Sequence, residues 1–141
     1  MEVEVNYLAV FLAALSSMVV GAVWYSPAGF FNQWSRLAHI KHDPSKMTGK
    51  QMAWLYGGVF VASLTLAYVL AHVSFLSNQF FKHTMLQDAL TTAFWLWLGF
   101  TAARIYVHDA FEGRRKKLTL LNSAHELLTV LIMAVIIGLV K

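Results

Sequence analysis

The chain has no cysteine, two prolines and few charged residues among its 141 positions. Without cysteine it has no disulfide, no thiol nucleophile and no thiolate metal ligand. Charged residues make up 13% of the chain, against roughly 25% in soluble domains. The sequence also has no P-loop, no GxGxxG and no GxSxG motif. No cofactor is predicted, and no basic and aromatic groove indicates nucleic-acid binding.

Long apolar segments take the place of these features. Apolar residues make up 58% of the chain, and its mean hydropathy is +0.57. One small soluble core cannot bury that much apolar surface. A bilayer core of about 30 Å is crossed by about 20 helical residues. The sequence therefore predicts an all-α membrane protein, a single domain of four transmembrane helices. We place these helices at about residues 6–24, 52–72, 86–107 and 118–140.

The first apolar segment is predicted to be a retained transmembrane helix. A cleaved signal peptide has a basic leading region and a shorter apolar run. Here the leading region carries Glu2 and Glu4 and no lysine or arginine.

A short helix in the plane of the interface is predicted at about residues 28–39, between the first two spans. Ser26 can cap this helix, with Pro27 at its first position. Large apolar residues repeat along one side of it, as is typical of an interfacial helix. Farther along, Thr48 with Gln51 and Thr84 with Gln87 have the spacing of capping boxes at the starts of the second and third spans.

Basic residues predict the orientation of the chain. Nine lysines and arginines lie on one side of the four spans and two on the other, and the richer side is normally cytoplasmic. Both termini should then be periplasmic or extracellular. The nine are Arg36, Lys41, Lys46, Lys50, Arg104, Arg114, Arg115, Lys116 and Lys117, and the two are Lys82 and Lys141.

Small residues form a narrow face on the first span at a spacing of four. Such faces let helix backbones approach closely in lipid. The face serves either packing within the chain or contact between copies, and we expect a homo-oligomer to form through it. Its members are Ala9, Ala13, Ser17 and Gly21.

A polar intramembrane site is predicted around Glu126, the most deeply placed ionisable residue. It lies about 12 Å into the fourth span, and ionisable groups at such depth are candidate functional groups. Arg104 either forms an ion pair with Glu126 or extends to the lipid headgroups. The alternative to a functional role is that Glu126 only holds the helices of the bundle together.

One polar face on the fourth span comprises Thr119, Asn122, Glu126, Thr129 and Met133. Another, on the third, comprises Asp88, Thr92, Trp95, Gly99, Ala103 and Tyr106. The candidate binding residues are Glu126, Asn122, Arg104, Asp88, Thr129, His125 and His108.

Three histidine–acid dipeptides lie on the predicted cytoplasmic side. Imidazole and carboxylate suit zinc, iron or manganese, but three or four must converge, and no HExxH motif is present. No metal site is favoured. The weak candidates for ligands are His39, His42, Asp43, His108 and Asp109.

Anionic lipid headgroups are the expected contacts of the basic run after Glu112-Gly113. A specific anionic substrate is the alternative. The residues expected at headgroup level are Arg114, Arg115, Lys116, Lys117, Trp24, Tyr25 and Trp34.

Three short motifs occur in order along nearly the whole chain: Trp24-Tyr25-Ser26-Pro27, Trp97-Leu98-Gly99-Phe100 and Phe111-Glu112-Gly113-Arg114. Together they resemble a bacterial four-helix membrane family described only as a domain of unknown function. The resemblance implies a small protein of the bacterial inner (cytoplasmic) membrane, and it carries over no activity, cofactor or catalytic residue.

Two functions from different classes fit these features. The first is a small oligomeric membrane protein with a binding, transport or accessory role centred on Glu126. The second is a membrane-embedded enzyme acting on a lipid-soluble substrate, with metal or acid–base chemistry supplied by the cytoplasmic-side histidines and carboxylates. We favour the first.

Overall fold

The computed structural model describes residues 3–39 and 47–140, and all regular structure in these ranges is helical. The predicted all-α class is therefore confirmed. A π-helical segment, Trp97–Ala102, joins α4 to α5. The helices are α1 (Tyr7–Trp24), α2 (Phe31–Ala38), α3 (Gly49–Phe81), α4 (Met85–Leu96), α5 (Ala103–Phe111) and α6 (Lys116–Leu139).

Three of these helices, α1, α3 and α6, are long and apolar enough to cross a membrane. The chain is thus a membrane protein by the apolarity of its helices. The remaining predicted span, 86–107, falls within α4, the π segment and α5, which follow one another without an intervening turn. The wider π turns divide this run into helices that are individually short.

The starts of three helices follow from their capping residues. The Asn6 side chain accepts hydrogen bonds from the first turn of α1. Thr48 with Gln51 and Thr84 with Gln87 form complete capping boxes at the starts of α3 and α4. Each box satisfies backbone N–H groups that a helix start leaves unpaired.

α3 is longer than its apolar segment, because the helix continues beyond His72 to Phe81. The residues after His72 contain no glycine or proline to stop it. The helix ends only where Lys82 adopts a left-handed conformation, with φ 58°. The segment between the second and third predicted spans is thereby reduced to residues 82–84, so that α3 and α4 are joined by a tight turn.

α2 begins at Phe31, three residues later than predicted. Ser26 does not cap it: its hydroxyl donates to the Val23 carbonyl and accepts from the Gly29 N–H. These bonds form a turn that reverses the chain at the end of α1. A Cβ on Gly29 would lie 2.5 Å from the Val23 carbonyl oxygen, so the turn requires glycine there.

Four helices pack side by side, with α1 and α4 each lying between α3 and α6. Small side chains at the core allow close approach, which is what stabilises helix pairs in lipid. At the closest point, a Cβ on Gly138 of α6 would lie 2.6 Å from the Leu86 Cα. The completely buried core residues include Ala13, Ala14, Ala67, Ala89, Met133 and Ala134.

The small-residue face of α1 is used within the chain. Ala9, Ala13 and Ser17 are buried, and the Ser17 and Ser63 hydroxyls share a hydrogen bond of 2.8 Å that ties α1 to α3. Gly21 faces His125 of α6. α3 and α6 cover most of this face, so the structure uses it for packing within the chain, and the homo-oligomer stays a prediction.

The two ends of the bundle differ. At the end where α3 meets α4, the helices are held by the tight turn and by the contact at Gly138. At the opposite end, residues 48–59 at the start of α3 are exposed throughout, and α3 makes no extensive contact with α5. We call this opposite end, where the α5–α6 turn lies, the basic end. The divergence of α3 and α5 leaves the interior accessible there.

Candidate functional site

The polar face of α6 points into the bundle. Met133 and Thr129 are buried on this face, and Asn122 and Glu126 share it by helical spacing. The predicted stripe is therefore directed at protein. The Glu126 side chain is nevertheless 37% exposed, because it lies in the half of the bundle that opens at the basic end.

The neighbours of Glu126 are His125 and Tyr25. Its Oε1 lies 3.5 Å from His125 Nδ1. Burial, and to a smaller extent the Glu126 carboxylate, raises the pKa of Tyr25 to about 12, so this phenol keeps its proton at physiological pH. Arg104 makes no ion pair with Glu126 or with any other carboxylate among residues 3–39 and 47–140.

Aromatic rings enclose His125. Its ring centre is 5.0 Å from that of Tyr25 and 5.7 Å from that of Trp24. A second layer supports these two rings, with Trp34 4.8 Å from Tyr25 and Phe30 4.4 Å from Trp24. Tyr25, Trp24 and Trp34 were predicted at headgroup level. That placement stays a prediction; the three side chains are half-buried, and their ring contacts are with His125 and with aromatic residues of α2 and the turn before it.

Three buried polar atoms in this region have no hydrogen-bond partner in the described protein: Trp24 Nε1, His125 Nε2 and Asn122 Oδ1. Leaving such an atom unpaired costs about 1–3 kcal/mol, and native proteins rarely tolerate several together. His125 contacts the Glu126 carboxylate, Trp24 is in ring contact with His125, and Asn122 lies one helical turn before Glu126 on α6. A ligand with hydrogen-bonding groups would satisfy them. We call Trp24, Asn122, His125 and Glu126 the α6 polar site.

Other predicted residues have structural roles. The Thr129 hydroxyl donates to the His125 carbonyl at 2.9 Å, within α6. Asp109 is buried and accepts from the Thr119 hydroxyl at 2.7 Å, which fixes α5 against α6. Arg114 lies between Asp109 and Glu112 and pairs with both.

Asp88 belongs to the opposite end of the molecule. Its carboxylate accepts from Asn78 Nδ2 at 2.8 Å and contacts His83 Nδ1 at 3.1 Å. The side chain is buried and closes the turn between α3 and α4. The structure therefore does not bring Asp88 together with Glu126.

Arg104, His108 and Asn122 do come together. They line a cavity of about 370 Å³ at the basic end, which we call the vestibule. Its wall also includes Phe100, Thr101 and Asp109. Arg104 and His108 were thus correctly placed near the polar face of α6, but they face Asn122 and not Glu126.

The predicted polar face of the third span is only half present. Asp88 and Thr92 are buried, whereas Trp95, Gly99 and Tyr106 are exposed, as is Ala103. The π segment accounts for the exposure of Ala103 and Tyr106, which follow it, because each π turn takes up more residues than an α turn and so rotates the faces of the helix after it; Trp95 precedes the segment and lies on the outer side of α4. Beyond the start of this segment, the side facing α6 is formed by Trp97, Thr101, Ile105 and Asp109.

Among the described residues, no three histidine, aspartate or glutamate side chains converge as a metal site would require. His39 ends α2 in a left-handed conformation, and Asp109 is engaged by Thr119. His42 and Asp43 lie outside the described residues.

Two features of the site were not predicted from the sequence. The Trp97 indole donates to the Ser123 carbonyl at 2.9 Å, and so joins the π segment to α6. His125 is enclosed by the residues after α1. No sequence signal pointed to the second feature; Gly21 borders the imidazole, but a Cβ there would make only an ordinary contact of 3.9 Å with His125 Nε2.

A helical membrane bundle with a polar interior and one open end is the class of protein that the fold and this site define. The family model "Protein of unknown function (DUF1761)" matches residues 8–138, and the chain belongs to that family. The resemblance inferred from the three short motifs is thereby confirmed at the level of the family. No curated protein and no solved structure shows significant similarity to the chain.

Proposed function

We propose that the chain crosses the membrane four times and carries a small polar solute or a proton at the α6 polar site. α4, the π segment and α5 together supply the fourth span. Their 27 residues, 85–111, extend about 40 Å, more than the bilayer core of about 30 Å. The basic end faces the cytoplasm of a bacterial cell, in agreement with the distribution of lysine and arginine.

The single observation that supports this function is the set of unpaired buried atoms around Glu126. Trp24 Nε1 offers a donor, Asn122 Oδ1 an acceptor, and His125 Nε2 either, depending on its tautomer. A carboxylate that only locked a bundle would be buried and saturated with hydrogen bonds, as Asp109 is. Glu126 is instead partly exposed, and its carboxylate contacts an imidazole that itself has an unpaired nitrogen.

Proton flux in proteoliposomes tests the proposal. Purified protein is reconstituted with a pH-sensitive dye inside, and a potassium diffusion potential drives protons inward. We expect wild-type protein to acidify the lumen faster than empty liposomes. Glu126→Gln should lower the protein-dependent rate about tenfold or more, because it removes the carboxyl group of the site. Elution on gel filtration should be unchanged.

Glu4→Gln is the matched control, since Glu4 is an exposed carboxylate before the start of α1 and lines neither cavity. It removes the same charge outside the α6 polar site and should leave the flux within about twofold. Equal rates for wild-type and Glu126→Gln liposomes would contradict proton transport. If the site carries a polar solute, the Glu126 carboxyl must be accessible. Its reaction with a carbodiimide, which modifies protonated carboxyls in apolar surroundings, tests this. Failure to label Glu126 would contradict an accessible carboxyl.

A further inference from the structure

We propose that one anionic phospholipid of the surrounding membrane binds along the π segment, with an acyl chain in the groove between α3 and this segment and its phosphate at Arg104 of α5. The phosphate would lie near Asn122, which also belongs to the α6 polar site, but the inference does not depend on the function proposed for Glu126. Four observations support it: an apolar groove on the outer surface, an arginine without a carboxylate partner, the depth of this arginine in the membrane, and two residues that line both cavities.

The groove is an apolar cavity of about 320 Å³ beside α3. We call it the side groove, and its wall includes Leu66, Val69, Leu96, Trp97 and Phe100. Leu66, Val69 and Phe100 are each more than one-third exposed, so the groove opens on the outer surface of the bundle. In a membrane that surface is met by acyl chains, which are the partner that an apolar groove at this position accepts.

Arg104 is the cation. The vestibule has two acidic residues in its wall, Asp109 and Glu112, and Arg114 pairs with both. The two arginines and two carboxylates of this wall balance in number, but among the described residues only Arg114 is within ion-pair distance of the carboxylates. The Arg104 guanidinium therefore has no carboxylate partner, and an arginine guanidinium binds phosphate through two parallel hydrogen bonds.

The depth of Arg104 suits a headgroup. It lies seven residues before the end of α5 at Phe111, which is about 10 Å along the helix. Because the run 85–111 exceeds the bilayer core by a similar length, Arg104 falls near the boundary between hydrocarbon and headgroups. A phosphate held there would leave its acyl chains pointing toward the side groove.

A shared wall connects the two spaces. Phe100 and Thr101, both in the π segment, line the side groove and also the vestibule. An amphiphile can therefore occupy both at once, with its apolar part on one side of these residues and its anionic part on the other. Each cavity lies within the range of about 300–1,000 Å³ that is usual for ligand sites.

Native mass spectrometry of delipidated protein tests the headgroup contact. The protein is titrated with dioleoyl phosphatidylglycerol and, separately, with dioleoyl phosphatidylcholine, which differ in headgroup charge and not in chains. We expect the first lipid of the anionic kind to bind about tenfold more tightly. Arg104→Gln should reduce this preference to about twofold. Arg115→Gln, which removes an equal charge from the exposed basic run, should leave it unchanged.

The groove is tested by filling it. Leu66→Trp should weaken binding of both lipids about tenfold, since it blocks the acyl chain and leaves Arg104 intact. Val61→Trp, on an exposed position of the same helix outside the groove, should have no effect. Unfolding temperatures in detergent establish that each variant is folded before it is compared.

Three results would overturn the proposal. Equal loss of preference in Arg104→Gln and Arg115→Gln would mean that lipids respond to the overall basic charge and not to a site. Full binding by Leu66→Trp would exclude the side groove. Displacement of the lipid by millimolar glycerol phosphate would show that the vestibule takes a soluble anion in place of a phospholipid.

Discussion

At the scale of single residues, hydrogen bonding separates structural polar groups from the candidate site. Asp88, Asp109 and Thr129 are buried, and each has a partner at 2.7–3.1 Å. Asn122 and His125 lie on the same helix as Thr129, yet each has a buried atom without a partner. Burial alone therefore does not identify function in this bundle. Unpaired buried atoms occur also at His72 and Ser74 of α3, and what distinguishes the α6 polar site is that its unpaired atoms lie on or beside the helix that carries the Glu126 carboxyl.

Asp88 is expected to stabilise the folded protein and to have no direct part in its function. Asp88→Ala removes the acceptor for Asn78 and the partner of His83, and it leaves both donors less satisfied near a buried position. We expect a loss of about 1–3 kcal/mol in the free energy of unfolding, seen as a lower melting temperature in detergent. Thr91→Ala, at an exposed position of the same helix, should be neutral. Loss of proton flux in Asp88→Ala with unchanged melting would contradict a structural role.

Some of the site was predictable from residue spacing and some was not. The inward polar face around Glu126 follows from the positions of Asn122, Glu126 and Thr129, because the helical period fixes which residues share a side. The contact of His125 with Trp24 does not follow from any period. It depends on where α1 and α6 cross and on the turn after α1, and both are set by tertiary packing.

At the scale of elements, local chemistry predicts helix starts better than helix interiors. The capping boxes at Thr48 and Thr84 marked the starts of α3 and α4 correctly, since each is a short-range hydrogen-bonding pattern. The π segment has no comparable signal in the sequence. Its hydrogen bonds are less regular than those of an α-helix, but it aligns Trp97 and Asp109 with α6. Because this alignment depends on contacts between helices, it arises only when the helices pack together.

The pairing of α1 with α3 can be tested by a disulfide. The chain has no native cysteine, so Ser17→Cys with Ser63→Cys introduces the only two thiols. Because the two hydroxyl oxygens are 2.8 Å apart, mild oxidation should cross-link nearly all of the protein within one chain, seen as a faster-moving band on a denaturing gel.

Thr65→Cys replaces Ser63→Cys in the control pair. Thr65 is on α3 but exposed, on a different side of the helix, so its thiol should not reach position 17. A cross-linked dimer from the Ser17 and Ser63 pair would show instead that the small-residue face of α1 joins two copies.

At the scale of the whole molecule, charge orients the bundle. Residues 112–117 of the α5–α6 turn and its basic run should be cytoplasmic, and the turn between α3 and α4 should face outward. Single-cysteine variants Glu112→Cys and Gln79→Cys probe these two ends at exposed positions.

In intact bacterial cells that express each variant, a membrane-impermeant maleimide should label Gln79→Cys and not Glu112→Cys. Both should react after lysis, which controls for the reactivity of each thiol. Labelling of Glu112→Cys in intact cells would reverse the orientation. Equal labelling of both in intact cells would contradict four spans.

The half of the bundle nearer the α3–α4 turn is tightly packed. Ala13, Ala67 and Met133 have no exposed surface, and they form a plug between the level of Glu126 and that turn. Under the proposed function, a solute bound beside Glu126 could not pass this plug in the present conformation. Any passage across the membrane must proceed by parting and resealing of that plug, as in alternating access. Turnover would then be limited by a helix movement and not by diffusion.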